Sequence, residues 1–182
     1  YLANLLINKN FKIFGFTRSK KKKNLVNLEK LSILNKVSLF EYLKNDNKFI
    51  EKKILKIKPS QIYILSGLSS VKKSFSSPIE TYRSNIIIPF KILEICRKRK
   101  LDIKIYNSVS TDCFGNQKSI LNEKSNFYPV SPYAKSKSYA FWLIKYYRET
   151  FKVKCVSGIV SNHESILRNK NFVTKKITEY IK

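Results

Sequence analysis

Methionine is missing altogether from these 182 residues, and the first six, Tyr1-Leu2-Ala3-Asn4-Leu5-Leu6, are already apolar at helical spacing. They read as the body of a helix begun upstream, so the expectation is a piece of a longer protein, and no targeting signal can be inferred either way. Long apolar runs are also lacking. The longest candidate, Ile86 to Cys96, is broken by Pro89, Lys91 and Glu94, well short of the roughly 18 to 20 residues a membrane span needs. The three cysteines, Cys96, Cys113 and Cys155, are odd in number, far apart and without metal-ligand spacing. That argues against a disulfide framework or a metal site, and favours a reduced, cytoplasmic setting with the thiols as small apolar residues.

Acidic side chains are few: 12 against 37 Lys and Arg, for a formal net charge of +25. Such a charge invites a nucleic-acid partner. Yet the basic residues are spread over nearly every segment and all but six are lysine. Abundant Asn and Ile beside scarce Gly and Pro match the drift of an AT-rich coding sequence. No nucleic-acid module accompanies the charge, so a nucleic-acid partner is not expected. The 43% hydrophobic content is enough to fill one domain with a core.

Strand and helix patterns alternate along the chain. Tyr1 to Asn8 reads as helix and Phe11 to Thr17 as an aromatic strand. Arg18, Ser19 and the run Lys20 to Lys23 follow it. An Arg at that place in a doubly wound sheet can accept a ribose 2′-phosphate and select NADP; a solvated basic loop is the other reading of Arg18. Val37 to Tyr42 reads as a weak strand, Asp46 to Ile57 as a helix, and Gln61 to Leu65 as a buried parallel strand. Ser66-Gly67-Leu68-Ser69-Ser70 comes next, small enough for backbone amides to approach a phosphate or ribose. Ile79 to Lys100 reads as a helical segment bent or started late around Pro89, and Ile103 to Val109 as a strand ending in Ser110-Thr111-Asp112-Cys113-Phe114-Gly115. The hydroxyls and carboxylate there serve either as hydrogen-bonding groups of a site or as turn caps. Val153 to Val160 is a further strand with Ser161 to Ser165 at its end, and a last helix starts near Phe172 and runs to the end of the sequence. The class is α/β with a parallel sheet, and the post-strand loops share one edge of it.

Between these elements lies Tyr128 to Trp142. Ser131 and Pro132 form a helix start, and the helix should reach about Phe151. Tyr133 and Lys137 then stack on one helical face. An ammonium beside a phenol favours the phenolate, the makings of a base; an amphipathic helix with a solvated lysine is the plainer alternative. Position beside the Ser110–Asp112 loop favours the base.

The order strand–S-x-D-x-F-G, Y-P-x-S-P-Y-x-x-x-K, then N-H-E-S and N-F-V-T-K-K-I resembles the GDP-mannose 4,6-dehydratase family, within the extended short-chain dehydrogenases/reductases. Tyr139-Ala140-Phe141-Trp142 and Tyr147-Arg148-Glu149 strengthen the likeness, which is sharpest from Gln61 to Ile177. The resemblance implies a Rossmann-type doubly wound parallel sheet, bound and recycled NADP, and conversion of GDP-mannose to GDP-4-keto-6-deoxymannose. It implies that Tyr133 deprotonates the sugar 4-hydroxyl and that Lys137 holds the nicotinamide ribose. Ser110, or Thr111 in the alternative register, orients the substrate. Asp112 stands where the family has Glu, the base for the C5 proton. Arg18 and Ser19 would meet the adenosine phosphate, and Leu65, Ser66, Gly67, Leu68 and Ser69 would line the cofactor. Asn162, His163 and Arg168 would border nicotinamide and substrate phosphates. The first strand and Gly-rich turn, expected before Tyr1, are not in the sequence, and Tyr42, Leu43 and Lys44 stand at the expected adenine contact. Residues 1–160 would form the NADP-binding domain and 161–182 the start of a largely truncated sugar-binding region. Pairing of the helices at Ile86–Arg99 and Ala134–Tyr147 implies a homo-oligomer. A related nucleotide-sugar epimerase or dehydratase, or a non-catalytic Rossmann-like binding protein, are the other readings.

Overall fold

A computed structural model of the chain describes residues 1–21, 24–42, 48–168 and 170–181. Lys22 and Lys23 of the basic run, Leu43 and Lys44 at the expected adenine contact, and Asp46 at the expected helix start lie outside the described residues. The chain divides into two compact units, residues 1–53 with 164–182, and residues 54–163.

In the first unit α1 (Leu2–Asn8) leads into β1 (Ile13–Thr17), then α2 (Val26–Lys30) and β2 (Val37–Glu41). The strands pair in parallel, Ile13 opposite Val37 and Thr17 opposite Glu41. Alternation puts Phe14 and Phe16 on one face. There they meet Phe40 at ring-centroid distances of 6.3 and 5.8 Å, and the Lys53 ammonium lies 4.1 Å from the Phe40 ring centroid. The last helix is α8 (Val173–Tyr180), with Phe172 as its N-cap.

The chain passes through α3 (Phe49–Ile57) into the second unit. There β3 (Gln61–Ile64), β4 (Lys104–Ser110) and β5 (Cys155–Val160) form a parallel sheet in that order. Gln61 faces Lys104, and Ser110 faces Val160. The crossovers are helical: α4 (Val71–Ser76), α5 (Pro78–Tyr82) and α6 (Ile88–Lys98) join β3 to β4, and α7 (Pro132–Phe151) joins β4 to β5. Leu93, Cys96, Ile105, Val109, Ile144 and Cys155 fill the core, each at most 2% exposed. Burial of such a Leu, Ile or Val side chain contributes about 1.5–3 kcal/mol.

The helical segment expected across Ile79 to Lys100 exists, and α6 starts late, with Pro89 in its first turn. Residues Arg83–Ile87 form a π-turn between α5 and α6. Proline has no N–H for the carbonyl four residues back and its ring crowds that carbonyl; a widened turn relieves both, and such turns recur at functional sites. The turn brings Asn85 inward, to 2% exposure. Helices α3, α6 and α7 end on lysines in the left-handed region, Lys58, Lys100 and Lys152, at φ 49, 50 and 57°. Glycine usually takes that place, and this chain has few glycines.

Candidate active site

Strand β4 runs one residue beyond the expected strand, so Ser110 closes it and a short 3-10 turn, Thr111–Phe114, begins at once. Ser110 Oγ accepts from the Asp112 backbone N–H at 3.2 Å and donates to Asp112 Oδ2 at 2.9 Å. Ser110 is 8% exposed, whereas Thr111 and Asp112 face solvent. The chain then turns at Gly115, φ 66°, where a Cβ would fall on the Tyr128 carbonyl. Tyr128 N–H in turn donates to the Cys113 carbonyl at 2.9 Å.

Helix α7 starts as its sequence dictates. The Ser131 hydroxyl accepts from Ala134 N–H at 3.0 Å, and Pro132 is the first helical residue. The following turns carry Tyr133 and Lys137 inward, each 8% exposed. Lys137 Nζ donates to the Ser108 carbonyl on β4 at 2.9 Å. One expectation fails here: Lys137 does not lower the Tyr133 pKa. Burial pushes that phenol upward, a hydrogen bond with the Ser110 hydroxyl pulls it down, and electrostatic interaction with Asp112 and, once ionised, Cys113 pushes it up. The ammonium is engaged by a carbonyl rather than by the phenol, and removal from water is the largest effect. Burial also lowers the Lys137 pKa, while Cys113 raises it.

The loop after β3 closes over this pair. Gly67 has φ +140°, and a Cβ there would strike Asn85 Oδ1 and stand 3.9 Å from Lys137 Nζ. Asn85 Nδ2 donates to Ser136 Oγ at 2.8 Å and to the Leu68 carbonyl at 3.4 Å. Asn85 Oδ1 is buried and has no hydrogen-bond partner among the described residues. Leu68 N–H donates to Ser84 Oγ at 3.3 Å; Leu65, Ser66 and Ser69 are exposed. Sequence reading missed Asn85, though one signal was present: an amide four residues before a proline, inside an apolar helical run.

Asn162 and His163, just past β5, are exposed, and His163 Nδ1 lies 3.0 Å from the Ser161 carbonyl. The other unit holds Arg18, Ser19 and Arg168. Ser19 is tied into the turn after β1, where its carbonyl accepts from Thr17 Oγ1 at 2.9 Å, while Arg18 faces solvent. The Arg168 guanidinium stacks 3.7 Å from the Phe172 ring centroid, with Nε 3.3 Å from Glu164 Oε2. Among the described residues no group of three His, Cys, Asp or Glu could hold a metal ion, and no helix is long and apolar enough to cross a membrane.

A parallel α/β architecture, a small-residue loop at the carboxyl end of β3 and an inward-facing Tyr133–Lys137 helix define a Rossmann-type protein of the short-chain dehydrogenase/reductase class. Two solved structures share that fold. The dTDP-glucose 4,6-dehydratase of Bacillus anthracis, solved with NAD, superposes with a TM-score of 0.79 at 18% identity, covering 99% of this chain and 56% of the other. The UDP-N-acetylglucosamine 4-epimerase of Methanobrevibacter ruminantium gives 0.82 at 21% identity, covering 100% and 59%. The chain belongs to the GDP-mannose 4,6-dehydratase family, whose model, described as GDP-mannose 4,6 dehydratase, matches residues 1–182. GDP-mannose 4,6 dehydratase 2 of Caenorhabditis elegans is 33% identical over 191 residues, covering 100% of this chain and 50% of its own length. The chain spans about half the length of the curated relatives it matches.

Proposed function

We propose that this chain carries the cofactor-binding and redox half of a GDP-mannose 4,6-dehydratase that uses NADP and produces GDP-4-keto-6-deoxymannose. The observation that carries this reading is the burial of Tyr133 and Lys137 beside Ser110, against a loop that only glycine can form at Gly67. A dinucleotide suits these residues. Gly67 presents bare backbone, Lys137 offers a buried ammonium, and Asn85 Oδ1 is a buried acceptor still without a donor.

Bound NADP supplies a hydride acceptor that is restored within each cycle. Leu65 to Ser69 would line it, Lys137 and His163 would hold its nicotinamide end, and Arg18, Ser19 and Arg168 would meet phosphates. Tyr133 takes the proton of the sugar 4-hydroxyl, and Ser110 orients that oxygen. Asn162 borders the substrate. A ketone at C4 acidifies C5–H, and Asp112 is the carboxylate at hand to remove that proton before water leaves from C6. Asp is one methylene shorter than the family's Glu, and a displacement of about 1 Å at such a base can cost on the order of a hundredfold.

A second copy of the chain is the expected partner. Tyr139, Trp142 and Tyr146 on α7 and Phe90 on α6 are 56, 54, 51 and 42% exposed, a surface that pairing of these helices would cover. The buried thiols suit a reducing, cytoplasmic setting.

The test is titration of the full chain with NADP and NAD, followed by an assay for GDP-mannose consumption. The reading expects NADP to bind more tightly than NAD, and Tyr133→Phe to lower turnover by about 10²–10⁴. Binding of neither dinucleotide would overturn it. Turnover of another nucleotide sugar but not GDP-mannose would move the chain to a related epimerase or dehydratase.

A further inference from the structure

We propose that Ser136 and Asn85 are positioning residues that hold Tyr133 in register with the loop that receives the dinucleotide. The inference rests on the functional reading above and deepens it. Three hydrogen bonds run from the loop to the redox helix. Asn85 Nδ2 donates to the Leu68 carbonyl at 3.4 Å and to Ser136 Oγ at 2.8 Å. Ser136 Oγ then donates to the Tyr133 carbonyl at 2.7 Å. The count of donors closes. An amide nitrogen has two protons, one for Leu68 and one for Ser136, and the single serine proton goes to Tyr133.

Both side chains are sealed from solvent, Ser136 at 0% exposure and Asn85 at 2%. Water therefore does not compete for these bonds, and losing one leaves a buried group unpaired. The π-turn holds Leu68 at both ends: its N–H donates to Ser84 Oγ at 3.3 Å, and its carbonyl accepts from Asn85. Ser84 Oγ in turn donates to the Thr81 carbonyl at 3.2 Å. On α7, a serine bonded to the carbonyl three residues back is a local feature that bends a helix slightly. Here the same oxygen is also held from outside by Asn85, so the turn carrying Tyr133 and Lys137 is fixed against the loop. The Lys137 bond to the Ser108 carbonyl ties that helix to β4 instead. Hydride transfer needs the sugar carbon and the nicotinamide in near contact, and a displacement of about 1 Å can cost on the order of a hundredfold. Tyr133 holds the sugar oxygen and the loop lines the cofactor, so the Asn85–Ser136 tie sets one against the other without touching either ligand.

The experiment compares the full chain with Ser136→Ala, Asn85→Ala and the double variant, measuring NADP affinity and GDP-mannose turnover separately. Ser136→Ala should lower kcat roughly threefold to tenfold, the size of one hydrogen bond, and leave the NADP Kd within about twofold. Asn85→Ala should weaken NADP as well, because it also frees Leu68. The double variant should turn over no more slowly than Asn85→Ala alone, since both act through one relay. Ser136→Ala decides even where Asn85→Ala does not fold, alanine being the residue a helix favours most. A readout free of turnover uses chain labelled with 3-fluorotyrosine, the Tyr133 resonance being assigned with Tyr133→Phe. In Ser136→Ala the NADP-induced ¹⁹F shift of Tyr133 should shrink while the half-saturating NADP concentration stays the same. Equal falls in kcat and NADP affinity for Ser136→Ala would overturn the proposal, as would additive effects of the two substitutions or an unchanged shift. Wild-type chain that binds no dinucleotide defeats the functional reading and this proposal with it. Binding without turnover defeats only the activity, and the ¹⁹F shift then decides.

Discussion

Lys137 Nζ, on the second turn of α7, donates to the backbone carbonyl of Ser108, 29 residues earlier on β4, at 2.9 Å. That bond fastens the helix bearing Tyr133 to the strand bearing Ser110. It also explains how a lysine stays buried at 8% exposure: its charge meets a carbonyl rather than nothing.

Removing the phenol should separate chemistry from binding. Tyr133→Phe is expected to lower turnover of GDP-mannose by about 10²–10⁴, the usual contribution of a positioned acid or base, with NADP affinity unchanged. Lys137→Met should weaken NADP as well, and should release the α7–β4 bond. Paired kinetic and binding titrations check both.

Gly67→Ala puts a Cβ onto Asn85 Oδ1 in a backbone conformation of φ +140°. A strained or clashing residue of this kind costs on the order of 1–3 kcal/mol. Urea unfolding should show that loss, and dinucleotide affinity should fall further than stability because the loop itself is displaced.

Glu94 on α6 accepts from Arg97 Nε at 2.7 Å and Tyr147 Oη at 2.7 Å, and pairs with Lys98 at 3.1 Å. The Arg97 hydrogen bond does most to hold its carboxyl at about 2 against an ordinary 4.5, with burial opposing and Tyr147 and Lys98 assisting. A folded pKa below the unfolded one means stability that is present above the unfolded value and lost as pH falls toward the folded one. Glu94→Gln should therefore cost about 1–3 kcal/mol at neutral pH. The gap from wild type should close as pH drops from about 4.5 to about 2, measured by denaturant unfolding across that window.

Burial raises the Cys96 and Cys155 thiols from 9.0 to about 11 and raises Cys113 as well. Two units upward leave about a hundredfold less thiolate. Thiol-reagent kinetics at pH 8 should be slow in the folded chain and fast in urea for all three cysteines.

Local chemistry alone marked the α7 start, because Ser131 and Pro132 act within one turn. It marked the strands β3 to β5 through short apolar runs, and the family through residue order from Gln61 to Ile177. It also put Tyr133 and Lys137 on one face, since a four-residue spacing is a property of the helix itself. Other features depend on contacts far apart in the chain. Asn85 finds Ser136 across 51 residues, and Lys137 finds a backbone carbonyl, which has no signature in any side chain. The direction of the Tyr133 pKa was misjudged from sequence because spacing reports which charge is near, not how much water is excluded. Desolvation of the phenol was decided only once β4 and α7 had packed together.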